Sequence, residues 1–402
     1  MGILKIRNFG AIKKADFNLS KVNLFIGHTS TGKSTAAKLL AIFNSEELLT
    51  ITNGDINSFK KLLIKYDIDF DINHDTEICF IQDKYSWKIN QKGLSTNNTD
   101  ADLFKYDNNL QEFIKQFIKD KKDSNDFADV ITQLEKYLLG ENKSRLSDLL
   151  YAGLIEGNIK QMHKIQSPIY IPAERILIAT FSNSIFSLLE AGATIPECIL
   201  RFGSLYEKAR KQRKEADIDI LNIKVNFSQD SDSVTMNDHT SISLKQASSG
   251  ILSILPLWLV LEDNIKLNSN NLILIEEPEL NLYPTVQLDL MNWIMGKIKS
   301  TQNNIVITTH SPYILTAIDD LIMGYEAYKK YENKSKEIIQ KLSNLLPIGS
   351  LIDFEDVASY YFDRDGNVKE IRDTETRSVG AEYLDEASEK TSCIFNELSN
   401  IL

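Results

Sequence analysis

Between Val22 and Phe43 the chain passes from a continuous apolar run, through a glycine-bounded loop, into a segment of helical periodicity. Few folds accommodate that succession. Val22-Asn23-Leu24-Phe25-Ile26 predicts a buried parallel strand, and Ser34 to Phe43 predicts an α-helix. The loop between them, Gly27-His28-Thr29-Ser30-Thr31-Gly32-Lys33-Ser34, fits G-x-x-x-x-G-K-[ST] in the strand–loop–helix context that gives the pattern its meaning. Gly27 and Gly32 let the backbone turn tightly, so that successive N–H groups converge on phosphate oxygens. The helix N-terminus adds a field that favours anions. Lys33 offers a point charge to β- and γ-phosphates, and Ser34 a hydroxyl to Mg²⁺; Thr35 completes the expected nucleotide contacts. His28 is expected to bind through its backbone, with its side chain outward.

Three further motifs follow the loop. Asn271-Leu272-Ile273-Leu274-Ile275 is an apolar run of strand length, as in a sheet covered on both faces, and it ends in Glu276-Glu277-Pro278-Glu279. Carboxylates at the C-terminal end of such a strand lie where open α/β sheets bind ligands. Glu276 is the candidate for holding Mg²⁺ through water, and Glu277 the candidate general base for an attacking water. Asn304 to Thr309 predicts another core strand, ending at His310, which there reaches a γ-phosphate. The plainer reading of His310 is a core histidine beside the helix start Ser311-Pro312. Ser248-Ser249-Gly250 precedes the apolar segment beginning at Ile251; it reads as a helix N-cap and equally as an anion site for a phosphate held by a second subunit.

Taken together, these motifs resemble the ABC-type ATPases of the RecF, SMC and OLD (overcoming lysogenization defect) group. Glu276-Glu277-Pro278-Glu279 with Leu280 to Pro284, Thr308-Thr309-His310-Ser311, and Tyr170-Ile171-Pro172-Ala173-Glu174-Arg175 resemble the OLD form in particular. The resemblance implies an α/β P-loop ATPase head, with a mixed sheet core, a flanking antiparallel sheet, a helical lobe and a largely helical insertion. It implies ATP and Mg²⁺ as cofactors. It also implies a head-to-tail dimer, in which the loop of one subunit faces Ser248, Ser249 and Gly250 of the other. Two spellings depart from the wider group: Glu276 stands where many members have Asp, and Ala247-Ser248-Ser249-Gly250 replaces Leu-Ser-Gly-Gly-Gln.

The organisation expected is an N-terminal core part with the loop (1–50), an insertion of short strands then helices (51–165), and a helical lobe with a hairpin and the signature (166–250). The second core part spans 251–345, and a hairpin and helix span 346–402. Gly2 to Phe9 and Ala11 to Leu19 predict a hairpin; Ile68 to Ile72, Glu77 to Ile81 and Tyr85 to Ile89 predict three strands, followed by a polar turn-rich stretch from Gly93 to Asp102. Leu110, Phe113, Ile114, Phe117 and Ile118 form a helical stripe that reads as helix–helix core, without the sustained heptads of a long coiled coil. Leu221 to Phe227 and Ser233 to Met236 predict a second hairpin.

OLD proteins often carry a Toprim nuclease, whose site needs an Asp-x-Asp. Asp363-Arg364-Asp365 has that spelling, but Asp365-Gly366 reads as a turn between two short strands, and the remaining length falls short of a nuclease domain. Val379 to Leu402 reads as one amphipathic helix. The 3 cysteines lack metal spacing, the N-terminus shows no signal peptide, and no apolar stretch is long enough to span a bilayer, so a cytoplasmic protein without membrane contact is expected. A net charge of −11 argues against coating DNA, while Lys208, Arg210, Lys211, Arg213 and Lys214 leave either a solvated helix face or a local nucleic-acid or partner contact. The reading that follows is an ATPase that regulates a separately encoded effector, such as a nuclease, in bacterial anti-phage defence, as in PARIS or Septu. The alternatives are a RecF-like repair ATPase that binds DNA directly, and a nucleotide-dependent scaffold, which the intact Lys33, Glu276, Glu277 and His310 oppose.

Overall fold

The computed structural model describes residues 2–49, 51, 54–82, 85–97, 166–181, 190, 192–228, 231–380 and 394–396. The helices expected over 102–165 lie outside these residues, as does nearly all of the helix expected from 379 to 402. In chain order the strands are β1 (Gly2–Phe9), β2 (Ile12–Asn18), β3 (Val22–Gly27), β4 (Glu77–Gln82), β5 (Tyr85–Asn90), β6 (Gly93–Thr96), β7 (Ser167–Ile171), β8 (Glu215–Ile218), β9 (Ile223–Asn226), β10 (Ser233–Met236), β11 (Ser241–Ser243), β12 (Asn271–Glu276), β13 (Asn304–Thr309), β14 (Val357–Phe362) and β15 (Val368–Glu370). The helices are α1 (Lys33–Phe43), α2 (Glu46–Leu49), α3 (Ile56–Lys65), α4 (Arg175–Phe181), α5 (Glu197–Lys211), α6 (Ser249–Asn264), α7 (Pro284–Lys299), α8 (Pro312–Tyr331) and α9 (Lys336–Leu345).

The central sheet has the order β15-β14-β3-β13-β12-β7 and is parallel except at β15. Its inner strands are apolar on both faces because both faces are covered. Along β12, Ile273 and Ile275 join a core that also includes Ile254 and Leu255 of α6, Leu290 and Ile294 of α7, and Ile314 and Ile318 of α8. Leu272 and Leu274 face the other way, into a core shared with α1 and with the second sheet. That second sheet is antiparallel, in the order β2-β1-β4-β5-β6. Phe17 of β2 packs on Phe25 of β3 and Tyr360 of β14, with ring centroids 4.9 and 5.0 Å apart. The Tyr360 hydroxyl donates to the Asn18 carbonyl at 2.8 Å and accepts from its N–H at 2.7 Å, which ties the two sheets together. A third antiparallel sheet, β11-β10-β9-β8, leads into α6. The α/β class with a mixed central sheet and flanking antiparallel sheets is therefore observed as the sequence implied.

Two local expectations fail. The segment from Ile68 to Ile72 is irregular rather than a strand. Its alternation reports burial without a ladder: Ile68 and Ile72 face the core, and Phe70 meets Phe9 edge to face at 5.5 Å. The preceding helix α3, begun by the Asp55 side chain accepting from the Ser58 N–H at 3.0 Å, was not foreseen. Conversely, Gly93–Thr96 is a strand paired with β5 and not a turn-rich stretch. The strands from 77 to 96 thus extend the sheet begun by β1 and β2. The hairpin expected at 360–371 is present, but its first strand, β14, also runs parallel to β3 in the central sheet.

That neighbour constrains the loop after β3. Gly27 has φ of +141°, and a Cβ there would strike the Phe362 carbonyl of β14. Gly27→Ala is expected to cost about 2–4 kcal/mol of stability, through backbone strain and separation of β3 from β14. Thermal unfolding checks this, and an unchanged midpoint would refute it.

Candidate nucleotide site

The loop from Gly27 to Ser34 wraps around the N-terminus of α1. Positive φ values at Gly27, Ser30 and Gly32 give it the reversing backbone that turns N–H groups inward. Gly32 is the N-cap of α1 and supplies no side-chain acceptor, so the first N–H groups of the helix are left for an anion. The Thr31 hydroxyl donates to the His28 carbonyl at 2.8 Å; Thr29 and Ser30 are exposed, and Thr35 is buried under the loop. Lys33 is buried, with Nζ donating to the Gly27 and His28 carbonyls at 2.9 and 2.6 Å. Burial pulls its pKa down to about 8, against the raising influence of Glu277, Glu279 and Glu276.

Those acids stand at the end of β12. Glu276 is buried, and burial raises its pKa; the Tyr170 and Ser34 hydroxyls and the Lys38 charge oppose this only partly. Its Oε1 is buried without a hydrogen-bond partner among the described residues. A buried anionic oxygen with spare acceptor capacity, beside a serine hydroxyl, fits a hard divalent cation such as Mg²⁺. Glu276 and Ser34 would hold such an ion, whose chemistry is to neutralise charge on phosphate oxygens.

Glu277 is half-buried and takes a left-handed backbone, φ +43°, its N–H donating to the Thr308 carbonyl at 2.9 Å. A left-handed glutamate costs about 1–3 kcal/mol and persists only where its surroundings over-determine it. The turn throws its carboxylate toward β13, where Oε1 lies 3.2 Å from His310 Nε2. The hydrogen bond from His310 holds the Glu277 carboxyl below its ordinary range, with Lys33 and Arg175 acting the same way. The structure therefore joins Lys33, Ser34, Glu276, Glu277 and His310 around one loop. Ser311 is indeed the N-cap of α8, its side chain accepting from the Tyr313 N–H, so the helix-start reading and the proximity of His310 to Glu277 both hold. Ser248 caps α6 by accepting from the Ile251 N–H; Ser248 and Ser249 are exposed, and Gly250 lies against the Asn281 carbonyl.

Sequence reasoning assigned no role to Arg175, the largest fully buried side chain. It donates to the carbonyls of Ser253 (3.1 Å), Pro172 (3.2 Å), Glu276 (2.9 Å), Glu277 (3.0 Å) and Pro278 (3.3 Å). Burial lowers its pKa to about 10, opposed by the surrounding carboxylates. Its place in the sequence, at the start of α4 and past the end of β7, carries no signal that sets it apart from a solvated arginine. Arg364 lies in the β14–β15 turn expected from Asp365-Gly366, its guanidinium 3.5 Å from Nδ1 of His28. Asp363 caps that turn, and Gly366 ties it to Lys13 and Lys14. Among the described residues, no group of three or more His, Cys, Asp and Glu side chains is placed to hold a metal ion by itself, and no helix is long and apolar enough to cross a membrane.

Residues 1–315 match the family model described as AAA ATPase domain. The chain belongs to this family. It is accordingly an ATPase. The ATPase is also similar to the SMC head domain from Thermotoga maritima, at 12% identity and a TM-score of 0.36, over 78% of this chain and 90% of that one. A Pyrococcus furiosus Smc head with an extended coiled coil, bound to the C-terminal domain of ScpA, gives 13% and 0.38 over 99% and 100% of the two chains. An SmcHead bound to the C-winged helix domain of ScpA gives 10% and 0.39 over 92% and 96%. No curated protein matches the ATPase.

Lys33 predicts a pH dependence. With a pKa of about 8 in the free protein, the amine is charged below that pH. Added phosphate charge favours the ammonium form, so binding above pH 8 must take up a proton. ATP affinity is expected to be flat from pH 7 to 8 and to fall by roughly tenfold per unit above that. Titration calorimetry checks this; affinity constant to pH 9.5 would refute it.

Proposed function

We propose that this ATPase is a nucleotide-driven switch that closes head to tail on ATP and controls a separately encoded effector. Lys33 and the loop N–H groups bind the phosphates, while Ser34 and Glu276 hold Mg²⁺. Glu277 takes a proton from water as the water oxygen bonds to the γ-phosphorus and the bond from that phosphorus to the β-phosphate bridging oxygen breaks, releasing ADP. His310 orients Glu277 and contacts the γ-phosphate. Ser248, Ser249 and Gly250 close the site of a second subunit, with the α6 N-terminus facing its γ-phosphate.

One observation carries this reading. The α6 helix, whose exposed N-terminus bears Ser248 and Ser249, is joined by the Arg175 guanidinium to the carbonyls of Glu276 and Glu277. A contact made by a second subunit at that N-terminus is thereby mechanically continuous with the hydrolytic carboxylate. Such an arrangement lets nucleotide and partner bias one two-state element. The effector, a nuclease in an anti-phage defence system of the PARIS or Septu kind, is supported by the resemblance of Glu276 to Pro284 and of Thr308 to Ser311 to OLD-type ATPases. Direct DNA binding of the RecF kind is less well supported. In the candidate basic run Arg210 pairs with Asp232 (2.6 Å), Lys211 with Glu207 (3.2 Å) and Arg213 with Asp263 (3.6 Å), which spends much of its charge locally.

Light scattering with ATP tests the switch. Glu277→Gln is expected to hydrolyse ATP at least about a hundredfold more slowly and to accumulate as a dimer. Ser249→Glu, which sets a carboxylate against phosphate, is expected to stay monomeric and to bind ATP normally while hydrolysing it slowly. A Glu277→Gln protein with the wild-type rate sinks the base assignment. A Ser249→Glu protein that dimerises and turns over normally sinks the composite site.

A further inference from the structure

One acid beside the site, partly exposed as a residue but with its carboxylate turned inward, has no part in the scheme above. Glu279 follows Glu277 by two residues, on the turn that leaves β12. Its Oε1 accepts two hydrogen bonds, from the Thr309 hydroxyl at 2.7 Å and from the His310 backbone N–H at 2.8 Å. Its Oε2 is buried with no hydrogen-bond partner among the described residues. The Thr309 hydroxyl in turn accepts from the Ser311 N–H at 2.9 Å, and the Ser311 hydroxyl donates to Gln287 Oε1 at 2.6 Å. A run of hydrogen bonds thus leads from Glu279 across the end of β13 into the first turn of α8.

The geometry explains why an acceptor of that reach is needed there. β13 pairs with β12 only as far as Thr308 opposite Glu276, because the chain turns away at Glu277. Past that point the His310 N–H has no carbonyl of a neighbouring β12 residue to meet. The Glu279 carboxylate supplies the missing acceptor, with the extra strength of a charged one.

We propose that Glu279 is the positioning residue for hydrolysis: it fixes the peptide that carries His310, and so sets the contact between His310 and Glu277. This rests on the roles given above to those two residues. Both ends of the 3.2 Å contact between His310 Nε2 and Glu277 Oε1 are then mounted on one short turn, since Glu277 belongs to it and His310 is tied to it through Glu279.

Glu279→Asp keeps the charge but shortens the reach by a methylene. Glu279→Gln keeps an acceptor oxygen at full reach. Steady-state kinetics are expected to show kcat lowered by about 10- to 100-fold in Glu279→Asp, with KM for ATP and the thermal midpoint near wild type, and kcat within about threefold of wild type in Glu279→Gln. His310→Ala supplies the decisive background. Because Glu279 acts through His310, Glu279→Asp is expected to cost nothing further in a His310→Ala protein. Losses that add in the double variant overturn the inference, as does a Glu279→Gln as damaged as Glu279→Asp. If His310→Ala alone hydrolyses ATP normally, the role given to His310 fails first; if it is impaired while Glu279→Asp is not, only the present inference fails.

Discussion

The Arg175 guanidinium is the joint on which the catalytic end of the fold depends. Removing a charge of that size from water is expensive, and here the cost is met by backbone carbonyls from three stretches of chain rather than by one carboxylate partner. The carbonyls of Glu276, Glu277 and Pro278 all turn toward it. This permits the left-handed turn at Glu277, since a chain reversing at the end of a buried strand would otherwise leave those oxygens unpaired. The carbonyls face the arginine on one side while the Glu277 and Glu279 side chains reach β13 on the other.

Charge balance follows from the same arrangement. Lys33 and Arg175 lie among Glu276, Glu277 and Glu279, and burial acts differently on each. Burial of their carboxyls pushes Glu276 and Glu279 up, whereas Glu277, half-buried and paired with His310, is pulled down. The carboxylate paired with His310 is thus the one whose surroundings keep it ionised, and the one beside Ser34 is the one that most needs a positive neighbour.

Much of this was legible in the sequence where short-range patterns are also physical requirements. The loop after β3, the paired acids after β12 and the histidine after β13 each sit at the end of an apolar strand, and parallel pairing of those strands brings their ends together. What was not legible depended on partners remote in sequence. Arg175 looks like any charged residue at a helix start until its carbonyl acceptors are known. The alternation at Ile68 to Ile72 is genuine burial, yet no strand lies alongside to complete a ladder. Asp363-Arg364-Asp365 was readable as a turn, but nothing local announces that β14 adds in parallel to β3 and delivers the turn to His28.

The position of β3 has a consequence for how the molecule is made. It lies between β13 and β14, so a strand emerging among the first residues has no neighbours in its sheet until the last quarter of the described chain is available. Contacts so distant in sequence close large loops and form slowly. The antiparallel sheet of β1, β2 and β4 to β6, together with α1, can assemble early around its own aromatic core during synthesis. The loop after β3 therefore acquires its final shape only once β14 is in place, and a chain interrupted before β14 would carry Gly27 to Ser34 without that support.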